Sequence, residues 1–226
     1  MSQHQPPGGD EPSLSRSSLK HYDIRLGGKH KLLHLVECLN SEDPAVRRRA
    51  ALQLARVGDG RAVDTLVEAL DNYEFRLSSQ RIRALNLLGT LRDPRSVPLL
   101  TRLASYMHPH PGVRIAAVRA LRKIGSSSAV AGLRKIILAK DYYWTNPKRE
   151  AVQALIELGD NELFDYLLPF AQARNDNAIM ALGCMREERA TSYLLDALGE
   201  LFTINGSLSS VDLGLYCLYP VVSNSG

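Results

Sequence analysis

Small and large apolar residues recur along this chain at a helical spacing, and the pattern returns every 33 or 34 residues. In each copy an alanine is followed by a large apolar residue four and then seven positions later, which places all three on one face of a helix. The next residue is a glycine in three copies, as expected where a helix ends in left-handed backbone. The marker alanines are Ala50, Ala84, Ala117 and Ala151, with a weaker fifth copy at Ala178.

A second apolar helix follows in every copy, for example AVDTLVEAL at 62–70, so each copy predicts a helical hairpin. Asp43-Pro44 and Asn146-Pro147 place a capping residue before a proline at the first helical position. One hairpin cannot bury its apolar face alone, whereas stacked hairpins share a core. The pattern therefore predicts an all-α solenoid, a superhelix of about five hairpins. They are expected at about 43–71, 76–105, 111–139, 146–172 and 174–202.

The two ends of the chain complete this organisation. A capping helix is predicted at 29–40 and a partial helix covering the other end at 209–220. Residues 1–18 are rich in Pro, Gly and Ser and predict a disordered tail, which leaves 19–226 as one repeat domain.

The segment VRRRAALQLARVGDGRAVDTLVEAL (46–70), together with the Asp-Pro-Arg-Ser-Val-Pro turn at 93–98, resembles HEAT-like repeats of the phycobilisome-lyase type. The resemblance covers roughly 43–200. It implies a protein-binding scaffold or, alternatively, a bilin lyase subunit or bilin chaperone that helps attach linear tetrapyrroles to phycobiliprotein cysteines. The implied partner is then a phycobiliprotein subunit or a second HEAT-like lyase subunit in a heterodimer. The scaffold needs no cofactor, whereas the lyase would bind a bilin chromophore.

Charge is distributed unevenly along the chain. Residues 1–140 contain 23 Lys and Arg against 12 Asp and Glu, whereas residues 141–226 contain 5 against 12. Within 75–140 there are 13 basic residues and one acidic residue, Asp93. Such an excess favours an anionic partner: an acidic protein, the carboxylates of a bilin, or nucleic acid. Nucleic acid is the least favoured, because the net charge is only +4 and the C-terminal third is acidic.

A basic residue stands three positions before each of the first four marker alanines: Arg47, Arg81, Arg114 and Lys148. Two interpretations remain open. In the first, these residues form a structural ladder, in which a basic residue of one unit reaches the turn aspartate of a neighbouring unit. The turn aspartates are Asp59, Asp93 and Asp160. In the second, Arg81, Arg114 and Lys148 form a binding ridge together with Arg83.

Two long connections between repeats carry the remaining candidate binding residues. The first contains Tyr106, His108 and His110, and the second contains Tyr142, Tyr143 and Trp144. The connections are one repeat apart, so we expect them to be neighbours and to form one partner- or ligand-binding surface. Plain loop residues and aromatic packing over the helices are the alternative. His-x-His between prolines is a weak metal motif, so no metal site is predicted.

The chain shows no GxSxG, P-loop or HExxH motif, so its catalytic residues are unknown and enzyme activity is uncertain. If the protein is an enzyme, the resemblance implies a lyase. Cys38, Cys184 and Cys217 are far apart, and Cys38 and Cys184 predict free buried thiols. The polar N-terminus and the absence of a long apolar run lead us to expect a cytoplasmic protein.

Overall fold

The computed structural model describes residues 28–105, 110–139 and 145–202. Within these ranges it contains helices and no strands. The α-helices are α1 Gly28–Glu37, α2 Pro44–Arg56, α3 Ala62–Asp71, α4 Ser78–Leu91, α5 Val97–Ala104, α6 Pro111–Ile124, α7 Ser127–Ile137, α8 Asn146–Glu157, α9 Leu163–Gln172, α10 Asp176–Met185 and α11 Glu188–Phe202. Two short 3₁₀ turns lie at Cys38–Asn40 and Pro94–Ser96. The predicted tail 1–18 and partial cap 209–220 lie outside the described residues.

Five helical hairpins follow α1, namely α2–α3, α4–α5, α6–α7, α8–α9 and α10–α11. The first helices of successive hairpins pack side by side, most extensively α4 against α6. The second helix of each of the first four hairpins also packs on the first helix of the next hairpin. Helix α1 packs on α2 at the N-terminal end. The predicted all-α solenoid is therefore confirmed.

The repeat positions that predicted the fold form its core. All five marker alanines are buried, and the large apolar residue four positions later is fully buried in every copy. All of these residues except Ala50 belong to one continuous hydrophobic cluster that runs from α2 to α11. Each hairpin shares its apolar face with its neighbours, which is how a solenoid is stabilised.

The turns between paired helices use left-handed backbone, as predicted for the three glycines. Gly58, Gly125 and Gly159 have φ angles of 83°, 62° and 73°. Arg92 and Arg186 adopt the same conformation at the equivalent places, with φ angles of 53° and 55°. A side chain in this region costs roughly 1–2 kcal/mol, so these two turns are strained where the other three are not.

Two helix starts were predicted from Asx-Pro pairs, and they differ in detail. The Asp43 side chain accepts a hydrogen bond of 2.7 Å from the Ala45 backbone N–H and caps α2, as expected. Helix α8 begins one residue earlier than predicted, so Asn146 is its first residue and Thr145 occupies the cap position. None of the described helices is long and apolar enough to span a lipid bilayer.

Candidate functional site

Half of the predicted binding residues can be located. Tyr106, His108, Tyr142, Tyr143 and Trp144 lie outside the described residues, so the predicted surface between the two long connections stays a prediction. His110 is exposed and precedes the first residue of α6. Arg81, Arg83, Arg114 and Lys148 lie on the first helices α4, α6 and α8.

The basic residues three positions before the marker alanines share one structural arrangement. Arg81 Nε donates to the Phe75 carbonyl at 2.7 Å, and Arg114 Nε donates to the Ala104 carbonyl at 3.1 Å. Arg47 donates to the Ser41 carbonyl at 2.9 Å. Each side chain therefore folds back onto the connection that precedes its own helix. These hydrogen bonds stabilise the junctions between repeats.

Lys148 also stabilises a junction between repeats, but its side chain is not exposed to solvent. Its Nζ donates to the Ala139 carbonyl and to Asn177 Oδ1, both at 2.8 Å, and the residue is 0% exposed. Asn177 Nδ2 donates to the same carbonyl at 3.2 Å. The network joins the third, fourth and fifth hairpins. It also corrects the prediction that Lys148 belongs to a binding surface, because a buried ammonium cannot meet a partner.

The turn aspartates bind arginines other than the predicted ones. Asp59 pairs with Arg61 at 2.6 Å and Asp93 with Arg95 at 2.7 Å. Asp160 pairs with Arg134 of α7, whose guanidinium group also lies over the ring of Tyr166. Hydrogen bonds from Arg61 and Arg95 hold the pKa values of Asp59 and Asp93 below their ordinary range.

The predicted ladder fails for a geometric reason. Arg47 lies in the first turn of α2, whereas the turn aspartates follow the last turn of a first helix. A helix of 13 residues is about 20 Å long. Successive hairpins repeat the same orientation, so this separation recurs between units and exceeds the length of any side chain. Arg47 and Asp59 therefore lie at opposite ends of the hairpin.

Much of the basic excess within 75–140 is neutralised by carboxylates of neighbouring repeats. On the first helices, Arg119 pairs with Glu150 at 2.7 Å and Arg122 with Glu157 at 2.5 Å. On the second helices, Arg102 pairs with Asp71. Further pairs between repeats are Arg95–Asp64, Arg134–Asp160 and Arg189–Asp165, and Arg48 pairs with Glu74 in the connection that follows its own hairpin. The candidate site is formed by those cations outside these pairs that share one face of the first helices.

One face of the first helices is formed by the residues one position before, two after and six after each of the first four marker alanines. This spacing of i, i+3 and i+7 lies on one side of a helix. We call it the first-helix face. Its members are Arg49, Leu52 and Arg56 on α2, Arg83, Asn86 and Thr90 on α4, Ala116, Arg119 and Lys123 on α6, and Glu150, Gln153 and Glu157 on α8.

Four cations of this face, Arg49, Arg56, Arg83 and Lys123, are exposed and have no ion pair among the described residues. They lie on α2, α4 and α6, and neighbouring helices pack about 8–10 Å apart. The face changes sign at α8, where its charged positions hold Glu150 and Glu157. It is thus a bounded basic patch that ends at an acidic edge, suited to binding an anionic surface.

A second feature, not predicted from the sequence, lies on α1 and the 3₁₀ turn after it. Cys38 Sγ lies 3.7 Å from His34 Nε2. The spacing of four residues in HLVEC was a visible signal for this proximity. Burial, and then the charge of Glu37, raise the pKa of the Cys38 thiol, so the pair does not resemble an activated nucleophile. Cys38 and Cys184 carry thiols outside any disulfide, as predicted, although both are only partly buried.

Helices α1 and α2 also enclose a shallow groove. Leu32, Leu35 and Val57 form its apolar walls, and Lys31 and Arg56 lie at its edge. Within the described ranges no group of three or more His, Cys, Asp or Glu side chains could hold a metal ion.

None of the curated proteins compared with the chain matches it significantly. Two solved structures are similar to it. The complex of CpcE and CpcF of phycocyanin lyase from Nostoc sp. PCC7120 is 22% identical, with 96% of this chain and 81% of that chain covered and a TM-score of 0.45. An engineered protein is 20% identical, with 87% and 98% covered and a TM-score of 0.40.

The family model of HEAT repeats matches the chain twice, at residues 32–80 and 76–146. The two matches together span half of the chain and coincide with α1 through α7. The chain therefore belongs to the HEAT-repeat family.

Proposed function

We propose that this protein is a scaffold that binds an acidic protein through its first-helix face. The observation that carries the proposal is the set of four exposed cations, Arg49, Arg56, Arg83 and Lys123, without ion pairs among the described residues. Several other arginines of the solenoid, namely Arg95, Arg119, Arg122 and Arg189, pair with carboxylates of an adjacent repeat. The four cations of the first-helix face differ in that they recur on three stacked helices. A run of unmatched like charges raises the local potential and attracts an oppositely charged partner.

The bounded shape of the patch favours a protein over nucleic acid. At α8 the face carries Glu150 and Glu157, which pair with Arg119 and Arg122, so the run of unpaired cations ends there and offers no positive charge to a phosphate backbone that continued along it. Four unpaired cations on three helices fit a local cluster of carboxylates instead. No catalytic step is assigned to this surface.

The partner class rests on the resemblance of the repeats to the phycobilisome-lyase type. We therefore propose a phycobiliprotein subunit or a second HEAT-like subunit as the first partners to examine. Each would have to present an acidic patch to the first-helix face. Co-elution with the purified chain, lost at high salt because exposed charges are screened, would support either assignment.

Calorimetry with two anionic ligands distinguishes the proposed binding of an acidic protein from binding of nucleic acid. One ligand is a glutamate-rich peptide and the other a DNA duplex of equal total charge. The proposal predicts that the peptide binds more tightly than the duplex at physiological salt. Tighter binding of the duplex, with a steep dependence on salt concentration, would replace the acidic-protein proposal with nucleic-acid binding.

A bound bilin remains a second candidate because of the groove between α1 and α2. Apolar walls at Leu32, Leu35 and Val57 beside the cations Lys31 and Arg56 suit an apolar ligand that carries carboxylates. We expect a free linear tetrapyrrole to change its absorption spectrum when the protein is added. The change should weaken in Lys31→Ser and persist in Lys135→Ser, a distant exposed lysine. An unchanged spectrum with the wild-type protein would refute this candidate.

A further inference from the structure

Three side chains on α1 and its 3₁₀ extension have an arrangement that the proposed function does not use. His34 Nε2 faces Cys38 Sγ at 3.7 Å, and His34 Nδ1, the other ring nitrogen, lies 3.9 Å from Glu37 Oε2. The backbone at Glu37 is helical, with φ −59° and ψ −40°, so the helical spacing continues through Cys38. The imidazole therefore stands between a thiol on one side and a carboxylate on the other.

The distance between sulfur and nitrogen matches that of two ligands on one tetrahedral ion. Zinc binds thiolate sulfur at about 2.3 Å and imidazole nitrogen at about 2.0–2.1 Å, which at a tetrahedral angle separates the two ligand atoms by about 3.5–3.6 Å. The observed 3.7 Å needs almost no movement of either side chain. Sulfur and imidazole are also the ligand types that zinc prefers over carboxylate alone.

Glu37 occupies the position that supports a metal-binding histidine. A histidine that binds a metal through one nitrogen commonly donates its other N–H to a carboxylate, which fixes the tautomer and the ring orientation. Glu37 Oε2 lies on the Nδ1 side at 3.9 Å, which is beyond hydrogen-bond distance, so a small movement of this exposed side chain would let it accept the Nδ1 proton and leave Nε2 for the position beside Cys38.

We propose that His34 and Cys38 form a two-residue binding site for Zn²⁺, with Glu37 as the carboxylate that orients the histidine. Water completes the coordination, since no third ligand converges among the described residues. Binding converts the Cys38 thiol to a zinc-bound thiolate, and the displaced proton passes to solvent. The side chain of His34 is 60% exposed, so the ion can enter from solution without opening the fold.

The test uses the full-length protein and Co²⁺, a coloured substitute for Zn²⁺, in the presence of a reductant that contains no thiol. The wild-type protein should develop a sulfur-to-cobalt charge-transfer absorption, and added Zn²⁺ should abolish it by displacement. Cys38→Ser should remove the band. His34→Gln should weaken Co²⁺ binding at least about tenfold, and Glu37→Gln by about tenfold or more, as expected for a supporting residue.

Two matched controls guard against adventitious ligands. Cys184→Ser removes the other described cysteine thiol, and His110→Gln removes the exposed histidine that precedes α6. Both should bind Co²⁺ as the wild type does, and circular dichroism should show unchanged helicity in all variants. Absence of the band in the wild type, or its persistence in Cys38→Ser, would overturn the proposal. Equal affinity in Glu37→Gln and the wild type would overturn the role of Glu37.

Discussion

The crossing of α4 and α6 provides a test of how tightly these repeats are packed. A Cβ added at Gly89 would lie 2.8 Å from the Ala120 Cα and 3.2 Å from its Cβ. Ordinary carbon–carbon contact begins near 3.5 Å, so Gly89→Ala requires the helices to separate by about 0.7 Å. The atom in the way is backbone, so a rotamer change cannot relieve the clash.

Two opposing free-energy contributions decide whether Gly89→Ala stabilises or destabilises the protein. Alanine is favoured over glycine in a helix interior by roughly 0.5–1 kcal/mol, whereas overpacking a core costs typically 1–3 kcal/mol. We therefore expect Gly89→Ala to lower the free energy of unfolding by about 1 kcal/mol or more in urea denaturation. Gly60→Ala is the control, because nothing lies within 4 Å of its added Cβ. A Gly89→Ala variant more stable than the wild type would refute this account of the α4–α6 packing.

Three further predictions follow from the junctions and turns. Lys148→Met should lower the free energy of unfolding by about 2–3 kcal/mol in urea denaturation, since it removes the hydrogen bonds of a buried ammonium to the Ala139 carbonyl and to Asn177 Oδ1; an unchanged midpoint would contradict the network. The pKa values of Asp59 and Asp93 are lowered in the folded state, so their stabilisation is present above the unfolded pKa and is lost as pH falls through the folded values. A double Asp→Asn variant measured from neutral to acidic pH should therefore lose less stability on acidification than the wild type, and parallel curves would refute this. Arg92→Gly should raise the free energy of unfolding by about 0.5–1 kcal/mol by relieving left-handed strain, and a thermal midpoint below that of the wild type would count against it.

The fold could be predicted because its determinants are local and periodic. The spacing of Ala50 and Leu54, repeated through the chain, specifies a buried helix face, and a repeated hairpin can bury that face only by stacking. Gly58 and its equivalents marked the turns, since only glycine adopts left-handed backbone without strain. Arg92 in the same conformation shows that packing on both sides can impose the turn on another residue.

The spacing of the charged residues along the sequence did not predict which groups their side chains contact. Arg81 and Arg83 are two residues apart, yet the first fastens a repeat junction and the second is exposed on the first-helix face. Which role each takes depends on the tilt of α4 and on where the preceding carbonyl lies. Likewise, Arg119 and Arg122 were counted as surplus charge, but their partners Glu150 and Glu157 belong to the next repeat.

The central claim is that the unpaired cations of the first-helix face bind an acidic protein. The most direct measurement is the affinity for a glutamate-rich peptide of a triple variant, Arg49→Ser, Arg83→Ser and Lys123→Ser. The control is a second triple variant, which removes the same total charge from exposed positions outside this face. Its substitutions are Arg76→Ser, Lys135→Ser and Arg174→Ser.

Exposed charge pairs contribute about 0.2–1 kcal/mol each, so loss of three should weaken binding about tenfold. The control variant should bind within about twofold of the wild type, because screening limits the effect of distant charges. Equal losses in the two variants would show that only net charge matters, and would contradict a defined binding face.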